Sequence, residues 1–353
     1  MMYSTAVVIP TFNKARYLAL TLASLVNQTF SDFHTIVVDD GSVDDTRETV
    51  DRYIGRLSLT YVYQPNAGRS AARNAALRCC TTAHTVLFCD DDRLLPPEYL
   101  EQHLAAMGNA ERIVVVGRKR SVLSWWEPDV LPLAHRQLTL LSSRHGRALG
   151  GLAGLPLTQL ITESDLLTRW DESIGQWDLG EEADNFPSAQ VDTSGAVQAP
   201  LSWLYVTTAN LSIRSPKLGK SIFFDDRYAG WGVEDTDLGY QLFSDGIPIK
   251  FEPSILNFHQ IHATGPGGAA ANDSARRTQL AHNFARFCFK WGDLEPYLVA
   301  AAYGRLTAEE MHQLAVEAAA HKGTLLVNEL KQLYAKMLEA MVDTTPTSTE
   351  GQA

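Results

Sequence analysis

Residues 6–10, 33–38, 59–63 and 85–89 are short apolar or β-branched runs, and amphipathic stretches separate them. Between the first two, Tyr17, Leu18, Leu20, Leu22, Leu25 and Val26 recur at helical spacing, which predicts a helix within 14–28. Helices are likewise expected near residue 44, over 69–78 and over 96–107, with a further strand at 112–117. Strand and helix alternating in this way, with nearly continuous apolar strands, limit the chain to an α/β fold. Its central sheet is mostly parallel and flanked by helices on both faces. Such sheets bind ligands outside the carboxyl ends of their strands. Those ends carry the polar groups here: Pro10-Thr11-Phe12-Asn13 after the first strand, Asp39-Asp40-Gly41-Ser42 after the second and Asp90-Asp91-Asp92 after the fourth.

Composition narrows the function classes. Thirty Lys and Arg against 41 Asp and Glu leave a formal charge of −11, which argues against a nucleic-acid partner, since that needs a basic footprint. The four cysteines, Cys79, Cys80, Cys89 and Cys288, form no C-x-x-C pair, so neither a zinc knuckle nor a disulfide framework is expected. A reducing cytoplasm is the expected setting. No transmembrane segment is expected, because no run approaches ~20 apolar residues.

Periodicity weakens over 119–200, predicting an irregular insertion that is a candidate acceptor region. Within it, residues 163–192 hold nine Asp or Glu against Arg169 alone, a net charge of −8. That stretch reads as a solvated loop, or as a lid facing a cationic acceptor. Order returns near Trp203, with a short helix over 234–243, strands over 247–251 and 255–258, and helices over 274–291 and 308–341. The last residues, 343–353, read as a flexible tail.

Several clusters could carry chemistry. Like charges in Asp90-Asp91-Asp92 repel unless a cation neutralises them, and hard oxygen ligands favour Mg2+ or Mn2+; a solvated, helix-capping turn is the plain alternative. In an extended chain Asp90 and Asp92 would point to one side. Asp40 could accept from a nucleobase N–H, or simply make a turn. Arg73 could face a phosphate, or solvent. In Gly230-Trp231-Gly232-Val233-Glu234-Asp235 the glycines permit close approach, the indole offers a flat wall to a sugar, and a carboxylate at a helix start suits a general base. His259 and His262 are candidate metal ligands, although on a regular strand residues three apart face opposite ways.

In order and spacing, Val7-Val8-Ile9-Pro10-Thr11-Phe12-Asn13, Val37-Val38-Asp39-Asp40-Gly41-Ser42, Ala71-Ala72-Arg73-Asn74 and the aspartate run resemble the family-2 inverting glycosyltransferases of GT-A fold. The 230–238 segment resembles the Gly-Trp-Gly-x-Glu-Asp motif of β-1,4-galactosyltransferases and related enzymes. The resemblance implies a metal-dependent inverting transfer of one sugar from a nucleotide diphosphate donor, a UDP-sugar most often, to an acceptor hydroxyl on a small molecule, glycan or peptide. It implies donor-binding roles for Pro10, Thr11, Asn13, Asp40, Arg73, Asp90, Asp91 and Trp231. Asp92, with His259, His262 or both, would hold Mn2+ or Mg2+. Asp235 would act as base, with Glu234 beside it. The Gln-x-x-Arg-Trp signature of processive membrane-embedded synthases is absent, so the acceptor is expected to be soluble or at a membrane surface. A lid at 265–268 is also expected. Residues 1–118 would form the nucleotide-binding half, 201–272 the acceptor and metal half, and 273–342 a C-terminal helical extension able to support a homodimer or peripheral membrane contact. A sugar nucleotidyltransferase and a non-catalytic nucleotide-sugar-binding protein remain alternatives.

Overall fold

The computed structural model of the protein describes residues 4–80, 82–127, 135–145, 156–182, 201–228, 230, 232–262 and 268–302, with isolated residues between 310 and 336. The first third alternates as the periodicity predicts: β1 (Thr5–Thr11), α1 (Ala15–Val26), β2 (Phe33–Asp39), α2 (Thr46–Asp51), β3 (Leu59–Tyr63), α3 (Arg69–Cys79), β4 (Thr85–Phe88), then a two-residue β5 (Arg93–Leu94) and α4 (Tyr99–Met107). There follow β6 (Ile113–Val122), β7 (Trp125–Trp126), α5 (His135–His145), β8 (Thr158–Gln159), α6 (Glu163–Thr168), α7 (Trp170–Trp177) and β9 (Asp178–Glu181). After 3-10 turns at Ser202–Tyr205 and Thr208–Asn210 come β10 (Leu211–Arg214), α8 (Glu234–Ser244), β11 (Ile249–Gln260), α9 (Gly268–Trp291) and α10 (Leu294–Ala302).

Strands β3, β2, β1, β4, β10, β6, β11 and β5 lie in that order in one sheet, with β9 also paired to β6. The first four run parallel, as do β6 and β11, whereas β10 is antiparallel to both of its neighbours. The pleat separates two cores. Val7, Ile9, Val37 and Leu87 face α1, meeting Leu18 and Leu22. Val8, Ile36, Val86 and Phe88 face the other way, against Ala72 and Ala76 of α3 and Trp203, Leu238 and Phe287. Each such fully buried Leu or Phe contributes about 1.5–3 kcal/mol over an exposed one. Two packed faces therefore hold the carboxyl ends of β1, β2 and β4 side by side.

Two expectations change. The strands expected over 247–251 and 255–258 are one strand, β11, with a register shift between Glu252 and Leu256. Pro253 lies in that interval and supplies no ladder N–H, so the interruption reads as a gap in the pattern. The irregular middle also holds more structure than expected. Its described elements are two to eleven residues long, and the shortest complete no period. Most of the helix expected over 308–341, like the 265–267 part of the expected lid, lies outside the described residues.

Candidate active site

The chain turns immediately after β4, with Arg93 N donating to Asp90 O at 3.2 Å. The turn removes the one-sided alternation of an extended strand, so the three aspartates diverge. Asp90 Oδ1 accepts from Arg73 Nη2 at 3.2 Å. Asp91 is buried under the loop that follows β1, with Phe12 N at 3.4 Å and the Lys14 ammonium at 3.5 Å. Burial pushes the Asp91 carboxyl up to about 6 against the opposing Lys14 charge. Asp92, also buried, accepts from Lys14 Nζ and faces His262 Nε2 at 3.0 Å and His259 Nε2 at 3.5 Å. Burial would raise Asp92 as well, yet His259, His262 and Lys14 outweigh it and hold the carboxyl well below the usual range.

Asp92, His259 and His262 offer ligand atoms that all lie within 4.8 Å of one another. Both histidines reach because β11 ends between them: His259 pairs with Arg93 across β5, while His262 lies beyond the strand's last residue. Gln260 fixes that end. Its N–H donates to Asp92 O at 2.8 Å, and its side chain donates to Tyr17 O and accepts from Ser124 Oγ. One buried carboxylate and two half-buried imidazoles form a donor set able to hold a divalent cation.

Asp40 sits at the β2 end, but its oxygens are already engaged. They accept from Gln64 Nε2, Ala67 N and Gly68 N at 2.7–2.9 Å. Asp40 therefore shapes the loop entering α3. Asn13, with φ 54°, ties the β1 and β2 loops together, its N–H donating to Ser42 Oγ and its Oδ1 accepting from Val43 N.

Arg73 is 3 % exposed and bridges the two halves of the site. Its Nη1 stands 3.3 Å from Asp235 Oδ1 and 3.5 Å from Glu234 Oε1, while Nη2 holds Asp90. Helix α8 begins at Glu234 after a turn in which Gly230, Gly232 and even Val233 have positive φ. For Val233 that conformation costs on the order of 1–3 kcal/mol, a strain characteristic of functional turns. Thr208 receives the carboxylate end: its N–H and Oγ both donate to Asp235 Oδ2 at 3.0 Å. Burial raises the Asp235 carboxyl, Arg73 opposes the rise, and Glu234 and Asp90 add to it.

Two cavities flank this bridge. One, of about 600 Å³, is lined by Pro10, Thr11, Lys14, Asp40, Asp92 and both histidines. The other, of about 370 Å³, is lined by Lys119, Tyr205, Thr208, Glu234 and Asp235. Arg69, Arg73, Asp90 and Arg93 line both, so the cavities share a wall. Together they bring every expected site residue into one cleft region except Asn13, in the adjoining loop, and Trp231, which lies outside the described residues. Lys14, Thr208, Arg93 and Glu182 were not foreseen. Each is a single polar residue in an ordinary local context, and only long-range pairing brings it here.

The acidic middle stretch is not a free loop over its described residues. Asp165 closes a capping box with Thr162 and pairs with Arg169, Glu163 lies near Arg52 and Arg56, Asp178 pairs with Arg120, Glu181 with Arg118, and Glu182 with Arg93. Apart from Arg169, the cations that meet these carboxylates come from distant segments, which a local charge count could not register. Among the described residues, no helix is long and apolar enough to cross a membrane.

Residues 6–148 match the family model for Glycosyl transferase family 2. The chain is 31 % identical over 306 residues to a validoxylamine A glucosyltransferase of Streptomyces hygroscopicus subsp. jinggangensis, an alignment covering 85 % of this chain and 64 % of that protein. The chain thus spans less than two thirds of that relative's length. A mannosyltransferase from Pyrobaculum calidifontis, solved with GDP-Man and Mn2+, superposes with TM-score 0.53 at 19 % identity, covering 96 % of this chain and 85 % of that one. Residues 1–349 of Staphylococcus aureus TarS, solved with UDP-GlcNAc, superpose with TM-score 0.52 at 15 % identity, covering 96 % and 81 %. The fold is GT-A, a central sheet flanked by helices.

Proposed function

We propose that this chain is a divalent-metal-dependent inverting glycosyltransferase that moves one sugar from a nucleoside diphosphate donor, a UDP-sugar, to an acceptor hydroxyl. The observation that carries the proposal is that Asp90 and Asp235, one at the end of β4 and one on α8, meet on Arg73, in the same cleft wall where Asp92 faces two histidines. The family match over residues 6–148 supports a transferase over a nucleotidyltransferase. The metal-bound mannosyltransferase of the same fold supports metal use.

In this reading Asp92, His259 and His262 would hold the cation, and their mixed oxygen and nitrogen donors suit Mn2+ better than Mg2+, which takes oxygen ligands. A bound divalent ion supplies neutralisation of the charge that develops on the departing diphosphate. Pro10, Thr11 and the loop that Asp40 shapes wall the nucleoside. Asp235 accepts the acceptor hydroxyl's proton as the oxygen attacks the anomeric carbon from the face opposite the diphosphate, which inverts configuration. Thr208 fixes the direction of the carboxylate, and Arg73 opposes the rise that burial imposes on it. Glu234 borders the sugar, and the same role for Trp231 rests on the resemblance alone. The uridine assignment rests on the resemblance.

The test is a panel of UDP- and GDP-sugars with Mn2+, read as nucleoside diphosphate release, on the parent and Asp235→Asn. Loss of a general base costs roughly 100- to 10,000-fold in turnover, while nucleotide binding followed by thermal shift persists. Equal turnover in parent and variant, or none with any donor, contradicts the proposal.

A further inference from the structure

Glu182 lies one residue past β9, in the acidic stretch, beyond the segment that matches the family model. Strand β6 runs between β9 and β11, pairing Gly180 with Ser121 on one edge and His259 with Ser121 on the other. The Glu182 N–H donates to Lys119 O at 3.2 Å, and its carboxylate turns into the site. Its Oε1 stands 3.0 Å from His259 Nδ1 and 3.0 Å from Arg93 Nη1. The carboxylate side chain is 16 % exposed and the Arg93 side chain 7 %.

An ionised carboxylate can only accept. The ring nitrogen facing Glu182 is therefore Nδ1–H, and Nε2, 3.5 Å from Asp92, is the nitrogen that would ligate a cation held between it and that carboxylate. Arg93 places a guanidinium against the Glu182 carboxylate at 3.0 Å. It holds the same carboxylate oxygen that faces the ring, so Oε1 is fixed by two partners at once. A carboxylate behind a metal-bound imidazole fixes its tautomer and orientation and raises its basicity.

We propose that Glu182, braced by Arg93, is a positioning residue that sets His259 with Nε2 toward the cation site. This inference rests on the metal reading above. It assigns part of the acidic stretch to the construction of that site rather than to acceptor recognition.

The experiment measures Mn2+ affinity by electron paramagnetic resonance on the full chain without donor, which separates it from turnover. The variants are Glu182→Gln, Glu182→Ala, His259→Ala and, as a control, Glu181→Gln, each checked for folding by thermal denaturation. Removing an outer-shell carboxylate weakens metal binding roughly tenfold to a hundredfold. Glu182→Ala is expected to show that loss, with Glu182→Gln between it and the parent because its amide oxygen still accepts from Nδ1–H, and Glu181→Gln unchanged. Should Glu182→Ala not fold, a weakening in Glu182→Gln that Glu181→Gln lacks supports the role. If His259→Ala weakens binding while both Glu182 variants match the parent, this inference falls and the metal reading stands. If His259→Ala matches the parent, both fall.

Discussion

Arg73 Nη1 and Asp235 Oδ1 stand 3.3 Å apart although 162 residues separate them. The same guanidinium holds Asp90, so a buried arginine joins the carboxyl end of β4 to the first turn of α8. Removing it leaves Asp90 and Asp235 without their arginine partner, and Glu234 with Arg69 at 3.5 Å. Breaking such a buried cluster costs about 3–5 kcal/mol, and Arg73→Ala is expected to lose stability on that scale in urea denaturation. Losing the cation also raises the carboxylates' pKa values. The acid limb of the pH–rate profile therefore moves to higher pH, and activity at pH 6 falls more than at pH 8. An unmoved limb with normal stability contradicts the bridging role.

His103 gives a separate pH prediction. It is fully buried, with Nδ1 2.7 Å from Ser212 Oγ and Nε2 3.0 Å from Asn210 Oδ1, and burial lowers its pKa to about 4. The unfolded histidine titrates near ~6.5. Between those values the unfolded chain binds the extra proton, so stability falls as pH drops from about 6.5 toward 4, by on the order of 3 kcal/mol. Urea denaturation at pH 7.5 and pH 5 is expected to show a larger loss in the parent than in His103→Gln. Equal losses contradict the assignment.

Gly239 lets α8 sit against the Ser202–Tyr205 turn. A Cβ there would lie 2.3 Å from Trp203 O, a backbone atom that cannot move aside alone. Gly239→Ala is expected to destabilise by about 1–3 kcal/mol or more and, by lifting the helix that carries Asp235, to lower turnover under conditions where the protein is still folded. Unchanged chemical denaturation contradicts the close packing.

Much of the frame was legible because its signals are local. Each of β1 to β4 is a complete apolar run, α1 and α3 complete their periods, and the aspartates sit where the runs stop. What escaped depends on partners far away in sequence. β5 is only Arg93 and Leu94, and exists because β11 pairs with it. β10 shows no sign in its own residues that it runs antiparallel between β4 and β6. For Asp40 a base contact and a plain turn stand equally open in the sequence, because nothing at the β2 end announces Gln64 and the amides of Ala67 and Gly68. The strand rule that sets His259 and His262 on opposite sides ceases to apply where the strand ends, at Gln260.

Central to the proposed transfer is that Asp92, His259 and His262 grip one divalent ion in the cavity they line with Pro10 and Thr11. The most direct measurement is a Mn2+ titration by electron paramagnetic resonance with UDP present, comparing the parent with an Asp92→Ala and His262→Ala double variant. The account predicts one ion per chain in the parent and, with two of three protein ligands gone, affinity weakened by more than the roughly 10- to 100-fold that an outer-shell change costs. A double variant that binds Mn2+ as tightly as the parent, at the same stoichiometry, contradicts it.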